Sequence, residues 1–105
     1  MDLQGKTLGI LLAAAAARPN FVHALNLADR ALAQGVKVYL YCIDEAVAGV
    51  SDPRLQELTR RGLKLFACAY SARRRNVALN DQAVFSGLTV VSDLIHDTDR
   101  FVCFR

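Results

Sequence analysis

Residues 8–17 read Leu-Gly-Ile-Leu-Leu followed by five alanines, with no polar side chain among them. A membrane-spanning helix needs ~20 apolar residues, about twice this run, so the segment has to be buried inside a fold. It shows no alternation of apolar and polar positions. Its leading part, residues 6–14, therefore reads as a strand covered on both faces, the kind found in parallel sheets layered by helices. The alanines mark where that strand leaves into a loop of small residues. Lys6 in front of the run imitates an export signal, but Asp2 spoils the basic leader, and removing the segment would delete the first strand. The three cysteines are an odd number with no CxxC spacing. Reduced thiols in a cytoplasmic protein are expected.

Helix and strand signals then alternate. Asn20 predicts a helix cap, and Phe21, Ala24, Leu25, Ala28 and Leu32 form one buried stripe ending at Gly35. Residues 36–43, rich in Val, Tyr and Ile, read as the second strand. Asp52-Pro53 starts a helix with Leu55 and Leu58 inward, and Gly62 closes it. Residues 63–67 form the third strand, which ends at Cys68. A short helix over 71–76, a loop over 77–82 and a brief strand over 83–85 follow. Ser86 predicts the cap of a helix over 87–97 with Leu88, Val91 and Ile95 inward, and 101–104 is the fifth strand. Strands joined by single helices must be parallel. The expected fold class is α/β: a three-layer α/β/α sandwich with a five-stranded parallel sheet, flavodoxin-like order 2-1-3-4-5, in one domain spanning 1–105. The chain is short and 53% hydrophobic, so subunit interfaces are also expected.

In such sheets ligands bind outside the carboxyl ends of the strands, at the switch point, here between strands one and three. Cys68 sits at that end, before a helix whose free N–H groups favour a thiolate. Ala69, Tyr70, Ser71, Arg73 and Arg74 are expected around it, with Asn20 reaching in from the loop after strand one. A lone cysteine also fits ordinary packing. Cys42 and Cys103 read as structural thiols. Cys42 and Cys68 are poor disulfide partners, because strand one would separate their strands by two spacings of ~4.8 Å. His23 reads as a surface residue and His96 as a cation closing a helix, while Asp44 and Glu45 read as a solvated loop.

The net charge of +3, with arginines clustered only at 73–75, gives no basic face for nucleic acid. No GxGxxG, P-loop, GxSxG or HExxH motif occurs. No metal or organic cofactor is expected.

The segment Leu63-Lys64-Leu65-Phe66-Ala67-Cys68-Ala69-Tyr70-Ser71-Ala72-Arg73-Arg74-Arg75 resembles the conserved cysteine region of the DsrE/TusD-like (YchN-like) sulfur-relay proteins. Phe85-Ser86-Gly87-Leu88, Asp93-Leu94-Ile95 and Thr98-Asp99-Arg100-Phe101-Val102-Cys103-Phe104 are similar to that family's glycine-led helix and closing strand. Asn20, Leu25, Ala28, Ala31 and Gly35-Val36-Lys37-Val38 resemble its first helix and second strand. The resemblance implies a cytoplasmic sandwich forming homotrimers or homohexamers. It further implies that Cys68 accepts persulfide sulfur from a donor protein and passes it to an acceptor, in sulfur oxidation or tRNA thiolation. The alternative is a non-catalytic oligomeric module that holds a small ligand or partner loop at the ends of strands one and three.

Overall fold

The apolar run becomes an interior strand. In the computed structural model, which describes residues 2–105, β1 (Thr7–Leu12) lies between β2 (Lys37–Cys42) and β5 (Arg100–Phe104). Beyond β2 come β3 (Lys64–Cys68) and the short edge strand β4 (Val84–Ser86), and every pairing is parallel. The connections are α1 (Pro19–Ala33), a 3-10 helix (Asp44–Ser51), α2 (Pro53–Arg60), α3 (Ala69–Arg74) and α4 (Thr89–Asp97).

The α/β/α sandwich with a five-stranded parallel sheet is as expected, but the order 2-1-3-4-5 is corrected to 4-3-2-1-5. The strands step across the sheet in one direction from β1 to β4, and only the last crossover turns back to the free side of β1. Specific contacts hold β5 there. Thr7 donates from its N–H (2.8 Å) and Oγ1 (3.0 Å) to Asp99 Oδ2. Gly9 makes room for Phe101, whose Cδ1 would stand 2.8 Å from a Cβ at residue 9. The switch point is thus between β1 and β5, not between β1 and β3.

Right-handed crossovers place α1, the 3-10 helix, α2 and α3 on one face and α4 alone on the other. Side chains follow that asymmetry. Leu8, Ile10, Leu12, Val38, Leu40, Cys42, Leu65 and Ala67 alternate onto the helix-rich face and are all buried. On the opposite face, where α4 packs mainly on β1 and β5, Tyr39 and Phe66 are half-buried and Val84 is exposed, and Leu11 is half-buried as well.

Local signals mostly hold. Asp52 caps α2 by accepting the Arg54 N–H at 2.9 Å, and Leu55 and Leu58 are buried. Gly35 and Gly62 take the left-handed conformation after α1 and α2, with φ of 81° and 109°. Two caps differ. Arg18, not Asn20, precedes α1, with Pro19 supplying the fixed φ of its first turn. Ser86 ends β4 and does not cap α4, which begins at Thr89 and buries Leu94; Leu88 and Ile95 are exposed. Packed mainly on β1 and β5, the helix presents a narrower stripe than the sequence spacing suggests.

Candidate functional site

Cys68 ends β3 and is itself the residue before α3, which is why that helix begins at Ala69 and not at residue 71. Its Sγ accepts the Ser71 N–H at 3.4 Å, doing for this helix what an Asp or Ser oxygen does at an ordinary N-cap. Burial alone would push this thiol up. The hydroxyl and N–H of Ser71, the Tyr41 phenol and the Tyr70 N–H together outweigh burial, holding Cys68 below the usual thiol range. α3 has only six residues, so these named donors matter more than its dipole.

Tyr41 reaches the site from β2. Its ring is fully buried, and its hydroxyl lies 3.1 Å from both the Ser86 and the Gly87 carbonyl oxygens. Tyr41 pairs with Phe66 and Cys68 with Ser86, so Tyr41, Cys68 and Ser86 share the α4 face of the sheet. The phenolic proton is shared between these two carbonyls, and the phenol is near enough to Cys68 to favour its thiolate. Burial, followed by the neighbouring Cys68 charge, pushes Tyr41 up to about 12, so it stays a donor throughout the neutral range.

The 3-10 helix after β2 forms the next wall. Asp44, at its start, holds the left-handed φ of 53° and donates its N–H to Ser71 Oγ at 3.1 Å. An aspartate tolerates that conformation better than most residues, and the hydrogen bond to Ser71 holds the turn against α3. A polar hollow of about 220 Å³ opens here, bounded by Asp44, Tyr70, Ser71, Arg74 and Arg75. The Arg74 guanidinium stacks 5.8 Å from the centre of the exposed Tyr70 ring. Among the described residues, Arg73, Arg74 and Arg75 form no ion pair. A larger, mostly apolar hollow of about 500 Å³, lined in part by Leu8, Leu27, Arg30 and Arg100, lies at the opposite, amino end of the strands.

Of the expected site residues, Cys68, Ala69, Tyr70, Ser71, Arg73 and Arg74 are contiguous at one strand end. Asn20 is not there. It lies on α1 and donates to the Arg105 carbonyl at 2.8 Å, at the far edge of the sheet beside β5. With β2 between β1 and β3, the loop after β1 gives place to the loop after β2. That change brings in Asp44 and Tyr41, while Ser86 comes from β4, a neighbour of β3 in either order; none of the three was assigned to the site from sequence. The usable signal was Tyr41 in the strand that precedes Cys68 in the chain; it pointed to the sulfur only once β2 and β3 were neighbours.

The other cysteines divide. Cys42 is fully buried on the helix-rich face, and burial pushes it up to about 12. It opposes Ala67 in register, so Cys42 and Cys68 lie on adjacent strands but opposite faces, and both are free thiols. Cys103, read as a packed thiol, is exposed. His23 lies 3.2 Å from Asn20, and His96 bonds Asp97 at 2.8 Å and is held above its usual range by that carboxylate. Neither histidine joins the cysteine. Among the described residues no three His, Cys, Asp or Glu side chains gather into a metal site, and no helix is long and apolar enough to cross a membrane.

Comparison with known proteins agrees with this architecture. Residues 6–104 match the model of the DsrE/DsrF-like family. No curated protein matches the chain. The crystal structure of the YchN protein from E. coli superposes with a TM-score of 0.79 at 17% identity, over 96% of this chain and 100% of that one.

Proposed function

We propose, since this chain belongs to the DsrE/DsrF-like family, that it is a sulfur carrier using Cys68 as the carrying thiol. The observation that supports the reading best is the Ser71 N–H held 3.4 Å from Sγ at the start of α3, which, with the nearby Ser71 hydroxyl, Tyr41 phenol and Tyr70 N–H, lowers the pKa of a thiol that burial alone would keep protonated. The Cys68 thiolate attacks the outer sulfur of a donor persulfide, R–S–SH. The donor S–S bond breaks, R–S⁻ departs, and a Cys68 Sγ–S bond forms with no net change of oxidation state. In the second step an acceptor thiolate attacks that outer sulfur, and Cys68 leaves as a thiolate. The same donors that lower its pKa make it a better leaving group. A donor and an acceptor protein are the partners of this reading, in a cytoplasmic homotrimer or homohexamer, and no metal or organic cofactor takes part.

Burial sets a requirement. Cys68 is 2% exposed, so loading includes a local opening. Residues 75–83, between α3 and β4, carry no helix or strand, and β4 pairs only with β3. Such segments open most cheaply. The same burial favours the competing reading, a non-catalytic oligomeric module with a small ligand or partner loop in the hollow beside Ser71. Intact-mass spectrometry after incubation with cysteine persulfide separates the two. The carrier gains about one sulfur per chain, and Cys68→Ser gains none at that site; a wild-type chain that stays unmodified overturns the carrier reading.

A further inference from the structure

The Ser86 hydroxyl sits near the Tyr41 phenol, whose ionised form it favours, but its oxygen is buried and makes no hydrogen bond among the described residues of the resting protein. Folds rarely keep such a group, because a buried donor without an acceptor loses its bonds to water and regains nothing. Its place is informative. Ser86 is the register partner of Cys68 across the β3–β4 pair, on the same face of the sheet. It stands near the Tyr41 phenol, whose hydroxyl is taken by the carbonyls of Ser86 and Gly87 at 3.1 Å each. The hydrogen bond that reaches Sγ itself comes from the Ser71 N–H, and the Tyr41 phenol and Tyr70 N–H add to the stabilisation of charge on that same atom.

A persulfide moves the charge one atom outward. The S–S bond is ~2.05 Å long, a little under half of the ~4.8 Å between adjacent strands. The outer sulfur of a loaded Cys68 carries the negative charge one atom beyond the groups that favour charge on Sγ. We propose that Ser86 is a positioning residue for the loaded state, donating its hydroxyl to the outer sulfur of the Cys68 persulfide. This deepens the carrier reading and rests on it. A donor aimed at the outer atom makes the hydroxyl's isolation in the unloaded chain intelligible. It also separates two tasks: Ser71 and Tyr41 hold the thiolate, and Ser86 holds the cargo.

The test compares Ser86→Ala with Ser86→Thr, which keeps the hydroxyl and suits a strand. Each protein is loaded with cysteine persulfide, and the alkylation rate of the persulfide is followed against pH. Loss of one donor to a charged sulfur raises the persulfide midpoint in Ser86→Ala by about one pH unit, a roughly tenfold smaller anionic fraction below the midpoint. The unloaded thiol midpoint moves far less, and Ser86→Thr restores the wild-type persulfide profile. A general packing defect would shift both midpoints together and would not be rescued by threonine. Equal persulfide midpoints in wild type and Ser86→Ala overturn the assignment while leaving the carrier reading intact. A wild-type chain that never loads overturns both.

Discussion

At the scale of single residues the chemistry comes down to who donates to one sulfur. Tyr41 is the informative side chain, because it bonds the carbonyls that anchor β4 and also favours the Cys68 thiolate. Tyr41→Phe keeps the ring and removes the donor. The account expects the alkylation midpoint of Cys68 to rise by up to about one pH unit in this variant, as one hydrogen bond to a charged group is lost. Peptide-resolved alkylation rates from pH 6 to 10 measure it; a midpoint equal to wild type would mean that Tyr41 serves only β4. The variant also leaves two carbonyls short of a donor and is expected to lose about 1–3 kcal/mol of stability in urea titration. Cys68 itself was legible as a candidate from its place between an apolar strand and a basic helix. Tyr41 and Ser86 were not. A tyrosine in a β-rich segment and a serine before a helix each have an ordinary explanation, packing in one case and capping in the other. Their roles exist only across strands.

Elements were easier to read than their neighbours. The strands could be recognised because β1, β2 and β3 are nearly continuous apolar segments, and α2 because Asp52-Pro53 carries its own cap. Strand order resisted, because it depends on contacts far apart in sequence. Thr7 with Asp99 and Gly9 with Phe101 bring β5 beside β1, and no local pattern at residue 7 or 9 announces residue 99 or 101. The consequence for the site is large. An order with β1 beside β3 would have placed Asn20 and the alanine loop next to Cys68. The real order gives those positions to the β2 strand and its 3-10 helix, and leaves Asn20 tied to Arg105. Cys42 and Cys68 show the same effect. They are unsuited to a disulfide because of opposite faces of neighbouring strands, not because of distance across an intervening one.

At the scale of the whole molecule, the fold holds two buried groups that resist ionisation and one that welcomes it. Cys42 is pushed from 9.0 to about 12 by burial, and Tyr41 from 10.0 to about 12 by burial and then by the Cys68 charge. Both pKa values are raised on folding, so the unfolded chain ionises first. Their neutral forms favour the fold fully below about pH 9, and that contribution is lost as pH rises toward 12. Cys68, lowered on folding, works in the opposite sense, and its contribution is complete only above the pKa of an unfolded thiol. The urea midpoint is therefore expected to fall between pH 9 and 12, and to fall less steeply in Cys42→Ala; equal slopes in the two proteins would count against a buried Cys42 thiol. Cys103 completes the picture by offering an exposed thiol on the same chain. If exposure governed reactivity, Cys103 would take the sulfur; if the donors around Sγ govern it, Cys68 would, despite its burial. The most direct measurement is peptide-resolved mass spectrometry of the chain after brief exposure to cysteine persulfide near pH 7. The account predicts the added sulfur on the Cys68 peptide, with Cys103 little modified. Sulfur on Cys103 and an unmodified Cys68 would contradict it.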